Sequence, residues 1–314
     1  MKKNFFDLAS TGKIFLWAIA LPQILALAAE LVLLMICFIT GQTIEALLKI
    51  QPINFAVSML AQVALLFILL FMRKKYDLKS ALKFQPKLGA QNIIICILIG
   101  VIGIFALSPI VDWFGIFLQS IGFNLSSIGF DISSPLMLIV GIIFMALVPS
   151  VLEEAIFRGA ILQGLKRYGK WIAIFGTSAL FVLVHGSLQQ VLYPFIISII
   201  LCNVVLKTNS VCASMVVHFV SNALTLILAY AGFAFVLPLW ASILVAGAGF
   251  AIMWALSLCL KNIEKPRTQE EVLEMIENPV PKMDNNPAPL KIGIYLAILL
   301  FVLSAILGFM PPIE

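Results

Sequence analysis

Long apolar runs recur along the chain and are separated by short polar segments. An α-helix needs about 20 apolar residues to cross the roughly 30 Å hydrocarbon core of a bilayer. The runs that approach or exceed this length lie at residues 14–40, 54–72, 92–111, 135–164, 171–187, 190–206, 211–231, 234–260 and 292–310. This pattern predicts an all-α fold, a polytopic transmembrane helix bundle of about eight to nine spans with a polar cavity inside the membrane.

The composition excludes a soluble domain. Hydrophobic residues make up 62% of the 314 residues and charged residues only 11%, whereas soluble domains carry roughly 25% charged residues. The five cysteines are odd in number and lie scattered in apolar sequence, so we predict small core residues and neither disulfides nor zinc ligands. They are Cys37, Cys96, Cys202, Cys212 and Cys259.

Basic residues are concentrated in every second loop. They are Lys2, Lys3 and Lys13, then Arg73, Lys74, Lys75, Lys79, Lys83 and Lys87, then Lys166, Arg167 and Lys170, then Lys207, and finally Lys261, Lys265 and Arg267. The intervening loops carry Glu45, Asp112 and Asp131. Because cytoplasmic loops retain Lys and Arg, we predict a multi-pass integral membrane protein with a cytoplasmic N-terminus, in the cell membrane if the chain is bacterial. This alternation accounts for the basic loops, so they do not indicate nucleic-acid binding.

We treat residues 1–314 as a single membrane domain with its chemistry in the central third. The first apolar run is too long for the core of a cleavable signal peptide, so we expect the chain to stay anchored. Residues 261–291 form the longest polar stretch and are predicted to be a cytoplasmic linker before the last transmembrane helix. A short helix is expected to begin within this linker at residues 268–271.

The segment 135–168 is too long for one perpendicular span, since about 30 helical residues extend about 45 Å. It must therefore tilt, protrude or break, and Pro149 with Ser150 offers a break point. Ser150 and Glu153 have the Ser-x-x-Glu spacing of a capping box, which would start a new helix there.

Ionisable residues inside apolar runs are costly and indicate function by default. Glu154 and Arg158 are four residues apart and should pair on one helix face. Glu153 then lies on a different face without a neighbouring cation. A carboxylate in such a site is suited to act as a general acid or base.

The two histidines of the chain also lie in apolar runs. His218 and Asn222 are four residues apart and share a helix face, as do Phe181 and His185. At about 1.5 Å per residue, Glu153, His185 and His218 lie about 20, 22 and 16 Å from the nearest basic residue of the adjoining loop. Polar groups on separate helices at similar depth are what a catalytic site in a helix bundle requires.

Three motifs in order carry a family resemblance: Glu153-Glu154-x-x-x-Arg158, Phe181-x-x-x-His185 and His218-x-x-x-Asn222. Over about residues 135–231 they resemble the CPBP family of intramembrane proteases, which includes CAAX prenyl endopeptidases and the Abi and bacteriocin-processing proteins. The resemblance implies hydrolysis of a peptide bond in a lipidated or hydrophobic membrane-associated peptide or protein.

The resemblance also implies residue roles. Glu153 would activate water, His185 would help to orient it, and His218 with Asn222 would stabilise the oxyanion, while Glu154, Arg158 and Phe181 would support the site. Two histidines and one glutamate could alternatively bind a catalytic zinc ion, with Glu153, His185 and His218 as ligands. We favour the mechanism without a metal, because no His-Glu-x-x-His motif is present and Glu154 would then be the nearest candidate for a separate base.

Two other functions use the same residues. A membrane transporter or proton relay could line a polar pathway with them, and it would account better for Glu30 in the first apolar run, which could otherwise hydrogen-bond to a neighbouring helix. A non-catalytic family member could instead bind a membrane partner. The sequence shows no inverted repeat and no missing motif residue, so we favour the protease.

Overall fold

The computed structural model describes residues 5–125, 132–234, 237–263 and 283–310, and within these ranges the regular structure is helical. The helices are α1 (Leu8–Thr40), α2 (Ile44–Leu48), α3 (Gln51–Ser58), α4 (Leu60–Lys75), α5 (Leu78–Ala81), α6 (Ala90–Ser120), α7 (Pro135–Tyr168), α8 (Lys170–His185), α9 (Leu192–Thr208), α10 (Val211–Tyr230), α11 (Leu239–Leu258) and α12 (Ala288–Gly308). The predicted all-α class is confirmed. The linker helix predicted at residues 268–271 lies outside the described residues.

The number of membrane spans is close to the prediction. Seven helices of the described chain are long and apolar enough to cross a membrane, where α9 is counted together with the helical turn before it as Leu188–Thr208. Helices α3 and α4 form an eighth candidate that is bent by 44°. The remaining predicted span became α8, which has only 16 residues. A helix of that length extends about 24 Å and is shorter than the hydrocarbon core.

The basic loops lie together at one end of the bundle. Backbone hydrogen bonds join Ala9 to Asp284, Val211 to Lys83 and Ile263 to Thr208. At the opposite end, Trp113 bonds to Leu237 and Asn124 to Gly308. The helix ends that adjoin basic loops therefore lie on one side of the bundle, as the alternation of charge requires. The assignment of this side to the cytoplasm stays a prediction.

Small residues allow the helices to approach closely, as is common in membranes. A side chain at Gly249 would collide with Ala106, so this glycine brings α11 against α6. Gly293 lies in the same way against Phe15 and brings α12 against α1. Cys96, Cys202 and Cys212 are buried core residues as predicted, Cys37 is partly buried, and Cys259 is exposed, which corrects its assignment.

Helix α7 does not use the break point that Pro149 and Ser150 offer. Residues 135–168 form one continuous helix, in which Ser150 donates to the Leu147 carbonyl and caps no new helix. The helix instead widens into two π-helical stretches, Ile142–Leu147 and Ala155–Ile161. Such stretches relax the α-helical ladder close to Pro149, which has no amide hydrogen, and they often occur at functional sites.

The short helix α8 ends at His185 for a local reason. Gly186 follows in the left-handed conformation, at φ +59°, which terminates helices and favours glycine. Because α8 begins at the basic end and is shorter than the hydrocarbon core, its last residue, His185, does not reach the opposite face of the membrane. The chain then turns through the half-buried residues 186–189 before α9 begins.

Candidate active site

A buried ion pair on α7 lies at the base of the polar cluster. Arg158 Nη1 is 2.8 Å from Glu154 Oε1, and both side chains are fully buried. The pairing predicted from their spacing is confirmed. The Arg158 guanidinium also lies 4.3 Å from the centroid of the Phe181 ring, a contact that stabilises a cation.

Glu153 has a different environment on the adjacent face of α7. Its side chain remains 16% exposed, and no lysine or arginine within the described residues forms an ion pair with it. Glu153 Oε1 accepts a hydrogen bond of 3.1 Å from Gln62 Nε2. A carboxylate that contacts a neutral amide, and no fixed cation, can exchange a proton during a reaction.

His218 lies between the two glutamates. Its Nδ1 is 2.9 Å from Glu154 Oε1, and its Nε2 is 4.0 Å from Glu153 Oε2. An ionised Glu154 can only accept, so Nδ1 carries a hydrogen and donates it. The separation of 4.0 Å is too long for a hydrogen bond, but one oxygen atom could lie about 2.8 Å from both atoms.

The Phe181 ring contacts both imidazoles. Its centroid is 4.7 Å from that of His185 and 6.3 Å from that of His218, with the rings near perpendicular. The predicted contact between Phe181 and His185 is therefore confirmed. His185 Nδ1 lies 2.7 Å from the Phe181 carbonyl. Because a carbonyl only accepts, Nδ1 carries the hydrogen, and a neutral His185 keeps its lone pair on Nε2.

Asn222 reaches α7 one helical turn away from His218. Asn222 Nδ2 lies 3.5 Å from the carbonyl of Met145. Met145 lies in the π-helical stretch just before Pro149. Asn222 thus supplies a long hydrogen bond to a backbone acceptor of α7, and its second amide hydrogen stays free for another acceptor.

Sequence reasoning missed Gln62, which contacts Glu153 from α4. It lies 91 positions away in the chain and outside the three motifs. Its signal in the sequence is that Gln62 is the one polar residue of α4 before the basic end that starts at Arg73. A carboxamide within an apolar helix requires hydrogen-bond partners, so the partly buried Gln62 could have been included as a candidate.

Glu30 does not join this cluster. It is exposed on α1, and among the described residues it makes no hydrogen bond to a neighbouring helix. The expected bond to a neighbouring helix is therefore absent. The polar contacts connect Glu153, Glu154, Arg158 and His218 with Gln62, and they leave Glu30 outside.

The predicted zinc ligands do not form a metal set in this arrangement. Among the described residues, no group of three or more His, Cys, Asp or Glu side chains could hold a metal ion. His218 Nδ1 and His185 Nδ1 are both used in hydrogen bonds, which leaves Nε2 of each ring as the nitrogen that could bind a metal. Zinc binding by Glu153, His185 and His218 stays a prediction.

A groove of about 560 Å³ lies away from the polar cluster, among α8, α9 and α11. Its lining is entirely apolar and consists of Trp171, Phe175, Ile199, Phe250, Ala251, Trp254, Ala255 and Leu258. These side chains offer no group that could transfer a proton or stabilise an anion. The chemistry is therefore located by the glutamate and histidine cluster and not by this groove.

Comparison with known proteins agrees with the motifs. The sequence model of the Rce1-like family, type II CAAX prenyl endopeptidases, matches residues 134–224. The match runs from the start of α7 to most of α10 and includes Glu153, His185, His218 and Asn222. No curated protein and no solved structure matches the chain. Residues 134–224 thus carry the sequence pattern of Rce1-like type II CAAX prenyl endopeptidases, and the resemblance to this group of intramembrane proteases is confirmed.

Proposed function

We propose that this protein is an intramembrane endopeptidase in which Glu153 activates a water molecule for attack on a peptide bond. The family match supports a protease at the level of class. The observation that carries the mechanism is the 4.0 Å gap between Glu153 Oε2 and His218 Nε2. A catalytic site needs a position about 3 Å from both the base and the oxyanion donor, and this gap supplies one.

The first step is attack by water. Glu153 takes one proton from the water as its oxygen bonds to the carbonyl carbon of the substrate. A neutral His185 can accept a hydrogen bond at Nε2 from the second O–H of this water, which orients the water without removing that proton, because Nδ1 is bonded to the Phe181 carbonyl. This agrees with the orienting role that the family resemblance implies.

The second element is stabilisation of the oxyanion. His218 can donate from Nε2 only when that nitrogen carries a proton, since Nδ1 already donates to Glu154. The free amide hydrogen of Asn222 is a second candidate donor on the same helix face. Donors directed at developing charge in a water-poor site are usually the largest catalytic contribution. Glu153 then returns its proton to the leaving amine, so the proton balance closes.

The substrate class follows from the setting of the site. The cluster lies within helices that are long and apolar enough to cross a membrane, so the scissile bond must reach a position inside the bilayer. We therefore propose a membrane-associated peptide or protein that is hydrophobic or lipidated. The resemblance to type II CAAX prenyl endopeptidases makes a prenylated CAAX peptide the first candidate.

The test is cleavage of a panel of lipidated and unlipidated hydrophobic peptides by the purified protein. Glu153→Gln removes the carboxylate without changing the size of the side chain. Glu30→Gln is the matched control, because it makes the same change within α1 and outside the cluster. We expect cleavage by wild type and Glu30→Gln and none by Glu153→Gln. Equal cleavage by all three would contradict the role of Glu153 as the base.

The relay and transporter function receives less support. A pathway would need polar groups leading away from the cluster towards both membrane faces. Glu30, the residue that this function explained best, makes no contact with the cluster. Proton uptake by proteoliposomes under a pH gradient would favour this alternative if Glu153→Gln and Glu30→Gln both abolished it.

A further inference from the structure

Helix α4 contributes a side chain to the site from outside the family-like segment. Gln62 lies at the third position of α4, whereas the matched segment begins at residue 134. Its amide nitrogen is 3.1 Å from Glu153 Oε1. The residues at which the family model matches therefore do not include every group that contacts the proposed base.

The chemistry of the pair decides which end of the Gln62 amide faces Glu153. An ionised carboxylate can only accept hydrogen bonds, so the NH₂ group of Gln62 must face it. This orientation leaves Gln62 Oε1 buried and without a hydrogen-bond partner among the described residues. A buried acceptor without a donor is unfavourable. Gln62 therefore donates to Glu153 although its own oxygen, Oε1, is left without a donor.

The hydrogen bond also fixes how the Glu153 carboxylate is turned. Gln62 contacts Oε1, while Oε2 is the atom that lies 4.0 Å from His218 Nε2. Holding one oxygen restricts rotation of the carboxylate about its last side-chain bond and keeps the other oxygen at the gap. Without Gln62, the carboxylate is free to turn away from the position proposed for water.

We infer that Gln62 is a positioning residue, which orients the Glu153 carboxylate through one amide hydrogen bond. The inference rests on the proposed function of Glu153 as the base. The other charged groups near this carboxylate are His218, with Nε2 at 4.0 Å, and the ion pair of Glu154 with Arg158 beyond it. Gln62 is the neighbour that contacts Glu153 without carrying a charge.

The test compares two glutamines that each donate one hydrogen bond. Gln62→Met removes the bond to Glu153, and Gln163→Met removes a bond of 3.2 Å from Nε2 to the Arg158 carbonyl on α7. We expect Gln62→Met to lower kcat by up to about 100-fold, since small misplacements of catalytic groups have effects of this size. Its KM should stay close to that of wild type, because Gln62 contacts the proposed base and not the position proposed for the substrate.

Gln163→Met should retain both the kcat and the KM of wild type. A Gln62→Met protein with the kcat of wild type would overturn the inference. Gln62→Glu provides a second variant of nearly the same size in case Gln62→Met does not fold. A protonated Glu at this position can still donate to Glu153, so its activity relative to wild type should rise as the pH falls. A ratio of Gln62→Glu activity to wild-type activity that stays constant across the pH range would count against the inference.

A measurement without substrate separates this inference from the proposed function. The infrared difference between wild type and Glu153→Gln isolates the carboxyl band of Glu153. In Gln62→Met the frequency of this band should move, because one oxygen of the carboxyl group loses its hydrogen bond. If it does so although no peptide is cleaved, only the proposed function fails. If peptides are cleaved with Glu153 as the base but the band does not move, only the role of Gln62 fails.

Discussion

Two adjacent glutamates on α7 are placed in opposite environments. Glu154 is fully buried and contacts both Arg158 and His218 through one oxygen. Glu153 is partly exposed, contacts the neutral amide of Gln62 and faces a gap of 4.0 Å. Successive residues of a helix differ in direction by about 100°, so neighbours in sequence can serve a closed structural pair and an open reactive position.

This difference indicates which glutamate has a structural role and which is reactive. Glu154 is fully buried and accepts hydrogen bonds from His218 and Arg158, so it keeps both side chains in place. A carboxylate beside an open position can accept a proton from a molecule that enters. Substitutions that affect one glutamate and spare the other therefore test the comparison directly.

The largest expected effect is on turnover. Glu153→Gln should lower kcat by about 10²- to 10⁴-fold, because it removes the proposed general base. Its folded yield should stay at the wild-type level, since Gln62 and the new amide can still form a hydrogen bond. Parallel measurement of peptide cleavage and of monodisperse protein after purification checks both parts. Loss of yield with normal specific activity would assign Glu153 to structure.

The next effect is on stability. Arg158→Met should lower the free energy of unfolding by about 3–5 kcal/mol, because it leaves Glu154 as an unpaired buried charge. The double variant Glu154→Gln, Arg158→Met should recover much of this loss, since replacing both partners removes the buried charges together. Denaturant unfolding in detergent measures both values. A double variant no more stable than Arg158→Met alone would contradict the structural role of the pair.

A third effect concerns the oxyanion. His218→Gln should lower kcat by about 10²- to 10³-fold, because it removes the imidazole donor proposed at Nε2. Peptide cleavage by this variant and by wild type, measured side by side, provides the check. An unchanged kcat in His218→Gln would assign stabilisation of the oxyanion to another group.

The smallest expected effect is that of metal removal. The described side chains do not form a set of three metal ligands, so cleavage should persist after dialysis against a chelator. Elemental analysis of the active protein before and after dialysis provides the measurement. Stoichiometric zinc that is lost in His185→Ala, together with activity, would instead support the zinc ligands Glu153, His185 and His218.

The fold was largely predictable because each span is specified locally. Apolar length predicts a helix in a membrane without reference to its neighbours, since every backbone polar group must bond within the helix. The spacing of four residues likewise predicted the contacts of Glu154 with Arg158 and of Phe181 with His185. These predictions depend on helix geometry alone, which is why they hold.

The remaining features depend on contacts between distant helices. The contact between Gln62 and Glu153 joins α4 to α7, and no local pattern specifies which helices will be neighbours. Pro149 and Ser150 resembled a helix start, but Asn222 from α10 supplies a donor to the carbonyl of Met145, and the helix continues. The packing of other helices thus overrode the local signal for a break.

The two π-helical stretches of α7 also affect how this helix tolerates changes in length. Ile142–Leu147 precedes the glutamates, and Ala155–Ile161 follows them. A π turn contains about one residue more than an α turn. A single deletion inside either stretch could therefore be absorbed by a return to α geometry, while Glu153 and Glu154 keep their directions. A deletion between the stretches would rotate the carboxylates by about 100°, so tolerance to deletion should change abruptly at the borders of the segment 148–154.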